Sequence, residues 1–153
     1  MHLRQILIAE DDPRDEKLTL AALEEYNLAN KVLVVHDGEE TLDYLYRRGK
    51  FKKRAPGNPV AMLLDLKMPK VTGLEVVKIM KADEHLKMIP IVVLTSSREE
   101  PDMRECYEYG VNAYVVKPVD FGEFMRAIKQ LGVFWAAMNE PPPVESEAVF
   151  IEG

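Results

Sequence analysis

The chain has 153 residues, of which 47% are hydrophobic and 30% charged, and its formal net charge is −6. This length fits one domain of ordinary size, no apolar run reaches the ~20 residues of a membrane span, and the single cysteine excludes a disulfide within the chain. The acidic balance disfavours binding to a nucleic-acid backbone, so we expect a soluble, cytoplasmic, single-domain protein with neither a nucleic-acid nor a membrane partner.

Five short apolar runs recur along the chain, and none of them alternates apolar with polar residues. The runs are residues 6–9, 32–35, 60–64, 91–94 and 113–116. Such runs are typical of strands that are covered on both faces, so they predict a parallel sheet between layers of helices.

Amphipathic segments between and after these runs predict five helices. Asp12 and Pro13 supply an N-cap and a first-turn proline for the first helix, and Gly110 is placed to end the fourth. Five βα units in series predict an α/β fold with a doubly wound, five-stranded parallel sheet. The residues expected on the buried helix faces are Leu18, Ala21 and Ala22; Leu42, Leu45 and Tyr46; Leu74, Val77 and Met80; Met103, Cys106 and Tyr107; and Phe121, Phe124, Ile128, Leu131 and Trp135.

Two stretches do not follow this rhythm. Residues 47–58 form a long basic connection, which we interpret as a solvated loop because Phe51 is its only aromatic residue. Residues 140–153 contain three consecutive prolines and an excess of glutamates. We therefore expect a folded domain over residues 1–139 and a disordered acidic tail over residues 140–153.

Polar residues follow the apolar runs at the points where the predicted strands end. The first run is followed by Glu10 and Asp11, and the third by Asp65. Thr95 and Ser96 follow the fourth run, and Lys117 follows the fifth. In a doubly wound sheet the carboxyl ends of the strands form the ligand-binding edge, so we expect these side chains to meet there.

Three crowded carboxylates need electrostatic compensation. Two such charges ~4 Å apart repel by roughly 4 kcal/mol at an effective dielectric constant of about 20, so a raised pKa or a bound cation must offset the repulsion. Oxygen ligands without histidine or cysteine favour a hard cation such as Mg²⁺. The residues therefore predict a site that places a phosphoryl group on Asp65, where Mg²⁺ and Lys117 neutralise the developing charge.

Helix capping is the alternative interpretation of several of these residues. Glu10 and Asp11 would each contribute ~0.3–1 kcal/mol as acids at a helix N-terminus, but that leaves the matching positions of Asp65 and Lys117 unexplained. Ser97 is the expected cap of the fourth helix.

The ordered set of motifs resembles the receiver domain of two-component response regulators. The matching segments are Glu10-Asp11, residues 64–69 (Leu-Asp-Leu-Lys-Met-Pro) followed by Gly73, Thr95-Ser96, and residues 113–118 (Ala-Tyr-Val-Val-Lys-Pro). They occur in the family's order over about residues 4–135. The resemblance implies a flavodoxin-like sheet of order 2-1-3-4-5 and a chain that acts as a signalling switch, not as an enzyme.

The same resemblance implies a role for each matching residue. Asp65 accepts phosphate from a sensor histidine kinase, with Lys117 and Thr95 as the other functional side chains. Thr95 and Tyr114 form the switch pair. The implied Mg²⁺ (or Mn²⁺) ligands are Glu10, Asp11, Asp65 and the backbone carbonyl of Lys67.

Two variable parts of the chain are similar to single-domain regulators that partner bacterial phytochrome kinases. They are the long basic connection and a fifth helix that extends through Phe134 and Trp135. This similarity implies a phytochrome photoreceptor kinase as the partner. Residues 131–138 are apolar nearly all round, more than one helix face needs, so we predict a homodimer surface around Phe134 and Trp135.

Other functions share part of this chemistry. A hydrolase of the haloacid-dehalogenase type also forms an aspartyl phosphate, but its motif is similar to Asp-x-Asp. This chain has Lys67 at the position of the second aspartate. A stand-alone phosphotransfer intermediate remains an alternative. A flavodoxin-like cofactor carrier should have a phosphate cradle after its first strand, where the acidic residues Glu10, Asp11 and Asp12 would repel a phosphate.

Overall fold

The computed structural model describes residues 5–25 and 32–117, together with Gly122 and Arg126. Five strands form one parallel sheet in the order β2-β1-β3-β4-β5, which confirms the predicted doubly wound, flavodoxin-like topology. The strands are β1 (Ile6–Ala9), β2 (Val32–Val35), β3 (Ala61–Leu64), β4 (Ile91–Thr95) and β5 (Ala113–Val116).

Four α-helices lie in the described part of the chain. They are α1 (Pro13–Glu25), α2 (Gly38–Tyr46), α3 (Gly73–Lys81) and α4 (Glu100–Glu108). None of the described helices is both long and apolar enough to cross a membrane. Of the predicted fifth helix, only Gly122 and Arg126 are described, and both are helical. Phe134, Trp135 and residues 140–153 lie outside the described residues.

The sheet buries both of its faces, because successive side chains of a strand point to opposite sides. Leu7 and Ala9 belong to the core cluster that includes residues of α2, α3 and α4. Ile6 and Ile8 belong to a second cluster, which includes Ala22 and Leu23 of α1. This two-sided burial explains why the strand sequences are continuously apolar.

The buried face of α1 differs from the prediction. The helix begins as expected, since the Arg14 N–H donates to Asp12 Oδ1 at 2.8 Å. However, Leu18 is 43% exposed and Ala21 is exposed, while the inner face carries Thr19, Ala22 and Leu23. The predicted stripe counted only apolar residues, whereas the short side chain of Thr19 is buried with its neighbours.

The start of α4 also differs from the prediction. Glu99 occupies the N-cap position without a side-chain capping bond, so Ser97 is not the cap of this helix. The Ser97 hydroxyl instead accepts from the Glu99 N–H at 3.3 Å and donates to Asp102 at 2.6 Å. Gly110 follows the helix with a φ of 93°, which confirms its predicted role in ending α4.

The basic connection after α2 is folded against the domain. Arg48 pairs with Asp43 at 2.8 Å, and Lys50 pairs with Glu40 at 2.6 Å. The Arg54 guanidinium stacks 4.1 Å from the centre of the Tyr44 ring, and it donates to the backbone carbonyls of Tyr44, Leu45, Ala55 and Gly57. The side chains of Arg48 and Lys50 stay 56% and 68% exposed, so apart from Arg54 the basic side chains of this segment remain solvated, as predicted.

Candidate functional site

The parallel ladder brings the acidic residues to one edge of the sheet. The Glu10 N–H donates to the Val35 carbonyl at 2.9 Å, and the Asp65 N–H donates to the Ala9 carbonyl at 3.0 Å. Glu10 and Asp65 therefore leave adjacent strands at neighbouring points. Both side chains are buried, whereas Asp11 is exposed.

An open cleft of about 370 Å³ lies above this edge. Its lining residues are Asp11, Asp12, Arg14, Asp15, Asp65, Lys67, Ser96 and Lys117. Within the described part of the chain, Glu10, Asp11 and Asp65 form a group with one carboxylate oxygen each, and these oxygens lie within 4.8 Å of one another. Carboxylate oxygens suit hard divalent cations, so the donor set of this group fits a metal ion.

Lys117 crosses the edge of the sheet to reach these carboxylates. Because β4 lies between β5 and β3, and neighbouring strands are about 4.8 Å apart, only a long side chain at the end of β5 can do so. Lys117 Nζ lies 2.8 Å from Glu10 Oε1, 2.7 Å from Asp15 Oδ2 and 3.4 Å from Asp65 Oδ2. The ammonium thus supplies part of the compensation that the crowded carboxylates need.

The pKa values of Glu10 and Lys117 are strongly perturbed. Burial raises the pKa of Glu10 to about 7, although the hydrogen bond from Lys117 acts in the opposite direction. For Lys117, burial alone would lower the pKa, but its hydrogen bonds to Asp15 and Glu10 and the charge of Asp65 raise it above the ordinary value. Lys117 is therefore a permanent cation of the cleft.

The loop after β3 holds Asp65 tightly. The Lys67 N–H donates to Asp65 Oδ1 at 3.2 Å, and the Gly73 N–H donates to the Leu66 carbonyl at 2.8 Å. A Cβ atom on Gly73 would lie 2.2 Å from the Asp65 carbonyl oxygen, so the close approach of α3 to this loop requires glycine. A Cβ atom on Gly38 would similarly lie 1.8 Å from the carbonyl oxygen of Val71, which packs the start of α2 on the same loop.

The two residues of the predicted switch pair contact the same residue. Thr95 is fully buried, and its Oγ1 accepts from the Ser97 N–H at 3.3 Å. The ring of Tyr114 packs against the core, and its hydroxyl donates to the Ser97 carbonyl at 3.2 Å. Since Ser97 also donates to Asp102, the segment between β4 and α4 joins the switch pair to that helix.

The structure places Ser96 in the lining of the cleft, as the sequence predicts, but sequence reasoning missed Asp15 and Arg14 there. Asp15 is the more important of these two because it is a third anionic partner of Lys117. The position of Asp15 in the first turn of a helix could have placed it near the edge of the sheet. However, an acid there is also common as a helix N-terminal charge, so the pattern alone does not single it out.

Comparison with known proteins agrees with this geometry. Residues 6–129 match the model of the response regulator receiver domain. This chain therefore belongs to the response regulator receiver domain family.

Three relatives illustrate the similarity. The structure of the bacteriophytochrome response regulator RtBRR is 57% identical, with a TM-score of 0.77, and the match covers 92% of this chain and 85% of RtBRR. The phosphorylated cyanobacterial phytochrome response regulator RcpA is 33% identical, with a TM-score of 0.79 and coverage of 94% and 100%. Response regulator Rcp1 of Synechocystis sp. is 32% identical over 130 residues, covering 85% of this chain and 87% of Rcp1. Its Mn²⁺-bound structure is 31% identical with a TM-score of 0.79, covering 92% and 99%.

Membership in this family defines the general role of the chain. It is a phosphoacceptor response regulator of two-component signalling, and its partner is a sensor kinase. The family is a signalling family, so the hydrolase alternative is not favoured. The acidic group at the sheet edge could bind a metal, and the relative Rcp1 has a structure of its Mn²⁺-bound form.

Proposed function

We propose that Asp65 is the phosphoacceptor of this chain. The proposal rests mainly on one observation: Lys117 Nζ bridges Glu10 at 2.8 Å and Asp65 at 3.4 Å in a cleft that opens to solvent. A carboxylate oxygen of Asp65 attacks the phosphorus of a phosphohistidine on the kinase, and the bond from phosphorus to the imidazole nitrogen breaks. Lys117 then donates a hydrogen bond to an oxygen of the transferred phosphoryl group, and the ammonium offsets the negative charge of that group.

The metal ligands in this proposal are the carboxylates of Glu10, Asp11 and Asp65 and the backbone carbonyl of Lys67. We propose Mg²⁺, or alternatively Mn²⁺, as the cation. When bound, it would supply positive charge next to the phosphoryl oxygens. The cleft is open to solvent, so these four oxygen ligands would leave room for the water and phosphate oxygens that Mg²⁺ prefers.

A phosphorylation assay tests the assignment of Asp65. The chain is incubated with a small phosphodonor and Mg²⁺, and its intact mass is measured before and after acid treatment. Asp65→Asn should not gain the acid-labile phosphoryl group. Asp12→Asn removes another acid of the same cleft and should still gain it. A phosphorylated Asp65→Asn variant would show that another residue is the nucleophile.

We further propose that Thr95 and Tyr114 transmit phosphorylation to the segment before α4. Thr95 would turn toward the phosphoryl group, which removes its contact with the Ser97 N–H and frees Tyr114 to reposition. In Thr95→Ala, phosphorylation should leave the hydrogen exchange of residues 97–103 unchanged, whereas it should alter that exchange in the parent. Equal changes in both proteins would contradict this role of Thr95.

The proposed kinase is a phytochrome photoreceptor kinase. The 57% identity to a bacteriophytochrome response regulator supports it, since that relative is covered over 85% of its length. Phosphotransfer from a purified phytochrome kinase should be much faster than from an unrelated sensor kinase at the same concentration. Equal rates would contradict this partnership.

We also propose a homodimer through Phe134 and Trp135, within a domain over residues 1–139 that precedes a disordered tail over residues 140–153. The apolar composition of residues 131–138 supports the dimer. Sedimentation should show that Trp135→Ala is monomeric at a micromolar concentration where the parent is dimeric. Unchanged association would contradict the proposed surface, and deletion of residues 140–153 should leave association intact.

The remaining parts of the proposal concern partners and location. We propose a cytoplasmic protein. We also propose that it has no nucleic-acid or membrane partner, because the basic residues Arg48, Lys50 and Arg54 already have acceptors within the chain.

A further inference from the structure

The ammonium of Lys117 is shared among three carboxylates that differ in their proposed roles. Glu10 and Asp65 are proposed metal ligands, whereas Asp15 is not. Asp15 is nevertheless as close to Lys117 as either of them, at 2.7 Å compared with 2.8 Å and 3.4 Å. Asp15 lies in the first turn of α1, and Lys117 is held at the end of β5, so two separate elements fix this contact.

This contact is partly shielded from water. The Lys117 side chain is 15% exposed and the Asp15 side chain is 32% exposed. Exposed ion pairs are weakened by solvent, but partly buried ones are screened less. The contact is therefore able to influence where the ammonium lies.

We propose that Asp15 is a positioning residue for Lys117: it gives the ammonium an anionic partner outside the metal ligands, so that a divalent cation and Lys117 can occupy the cleft together. The inference rests on the metal site and the role of Lys117 proposed above. It goes beyond them because it assigns Asp15 a role in setting metal affinity through Lys117.

The physical reason is competition for the same carboxylates. Without Asp15, the only carboxylates in hydrogen-bonding contact with Lys117 among the described residues are Glu10 and Asp65. A cation that binds these two residues must then displace the ammonium from them and also lie close to its charge. With Asp15 present, Lys117 keeps a hydrogen-bonded carboxylate after the cation binds, so less favourable interaction is lost.

A double-mutant cycle measures this coupling. Mg²⁺ affinity is determined by calorimetry, at one pH and one ionic strength, for the parent, Asp15→Asn, Lys117→Met and the double variant. Asp15→Asn should weaken Mg²⁺ binding by about tenfold in the parent but by less than about twofold in the Lys117→Met background, because contacting residues couple strongly.

Asp12→Asn is the matched control for charge alone. Asp12 lines the same cleft, has no hydrogen bond or ion pair to Lys117 among the described contacts, and keeps a side-chain acceptor for the Arg14 N–H when it becomes asparagine. Its effect on Mg²⁺ affinity should stay below about twofold. Asp15→Glu should restore binding to within about threefold of the parent, which a purely structural role of Asp15 does not predict.

The outcomes separate this inference from the proposed function. Equal losses from Asp15→Asn in both backgrounds, or a loss no larger than that of Asp12→Asn, would overturn the inference while leaving the metal site in place. A parent chain that binds no Mg²⁺ would overturn the metal site and the inference together. Thermal unfolding without metal checks that each variant is folded, and Asp15→Ser provides the same test if Asp15→Asn is unstable.

Discussion

Replacing Arg54 by methionine should destabilise the fold although the residue lies in a loop. Its guanidinium donates to the carbonyls of Tyr44, Ala55 and Gly57 at 2.7, 2.6 and 3.0 Å, and more weakly to Leu45 at 3.5 Å. It also stacks 4.1 Å from the centre of the Tyr44 ring. Methionine keeps much of the length of the side chain but provides no donors and no charge.

The expected loss follows from these contacts. Hydrogen bonds to a charged group contribute about 1.5–3 kcal/mol when buried, and solvent reduces this in a partly exposed site, so we take roughly 1 kcal/mol for each of the three short bonds. Cation–π stacking adds about 0.5–1 kcal/mol. Water reaches some of the freed carbonyls in the variant, so we expect a total loss of about 3 kcal/mol in the free energy of unfolding.

Urea unfolding followed by circular dichroism measures this loss. With a slope of roughly 2 kcal/mol per molar urea, the midpoint should fall by about 1.5 M. Lys53→Met is the matched control, because Lys53 lies in the same segment, is exposed and has no hydrogen bond or ion pair within the described residues. Its midpoint should shift by less than about 0.3 M, as for an ordinary surface substitution. Equal shifts for the two variants would refute the structural role assigned to Arg54.

Three further predictions concern the site and its supports. Gly73→Ala should lower the free energy of unfolding by about 1–3 kcal/mol in thermal unfolding, and it should slow phosphorylation, because its Cβ would lie 2.2 Å from the Asp65 carbonyl oxygen. Parent-like stability and phosphorylation rate would contradict this close approach. Because burial raises the pKa of Glu10 to about 7, lowering the pH from 8 to 6 changes it from mostly ionised to mostly protonated. Mg²⁺ affinity measured by calorimetry should therefore fall about tenfold over that range, and a constant affinity would argue against Glu10 as a ligand. Thr72→Ala removes the hydroxyl that accepts from the Glu75 N–H in the capping box of α3, so urea unfolding should show a loss of about 1 kcal/mol, whereas no loss would mean that the cap is not needed.

The strands were predictable from the sequence with little ambiguity. The predicted runs 6–9, 32–35 and 113–116 coincide with β1, β2 and β5, while β3 and β4 differ from their runs by one residue each. A strand covered on both faces needs apolar residues at every position, and polar or turn-forming residues end each run. This pattern is local, so it is visible without knowledge of the fold.

The buried faces of the helices were less predictable. In α2, Tyr44 is buried while the predicted Tyr46 is 39% exposed, and in α4 Tyr107 is 50% exposed. Amphipathic tyrosines fit either side of a helix, because the ring can be buried while the hydroxyl finds a partner. The hydroxyl of Tyr46 reaches Asp83, a contact that depends on where the segment after α3 lies.

The chemical groups that end each strand can be read from the amino-acid sequence alone: carboxylates after β1 and β3, a hydroxyl at the end of β4 and an ammonium after β5. The contact of Lys117 with Asp15, a residue 102 positions away, and the return of Arg54 onto the carbonyls around Tyr44 are visible only in the folded chain. The reason is that strand chemistry is set by burial, which a local pattern records. A contact between distant side chains depends on the relative placement of a helix, a loop and a strand, which no local pattern records.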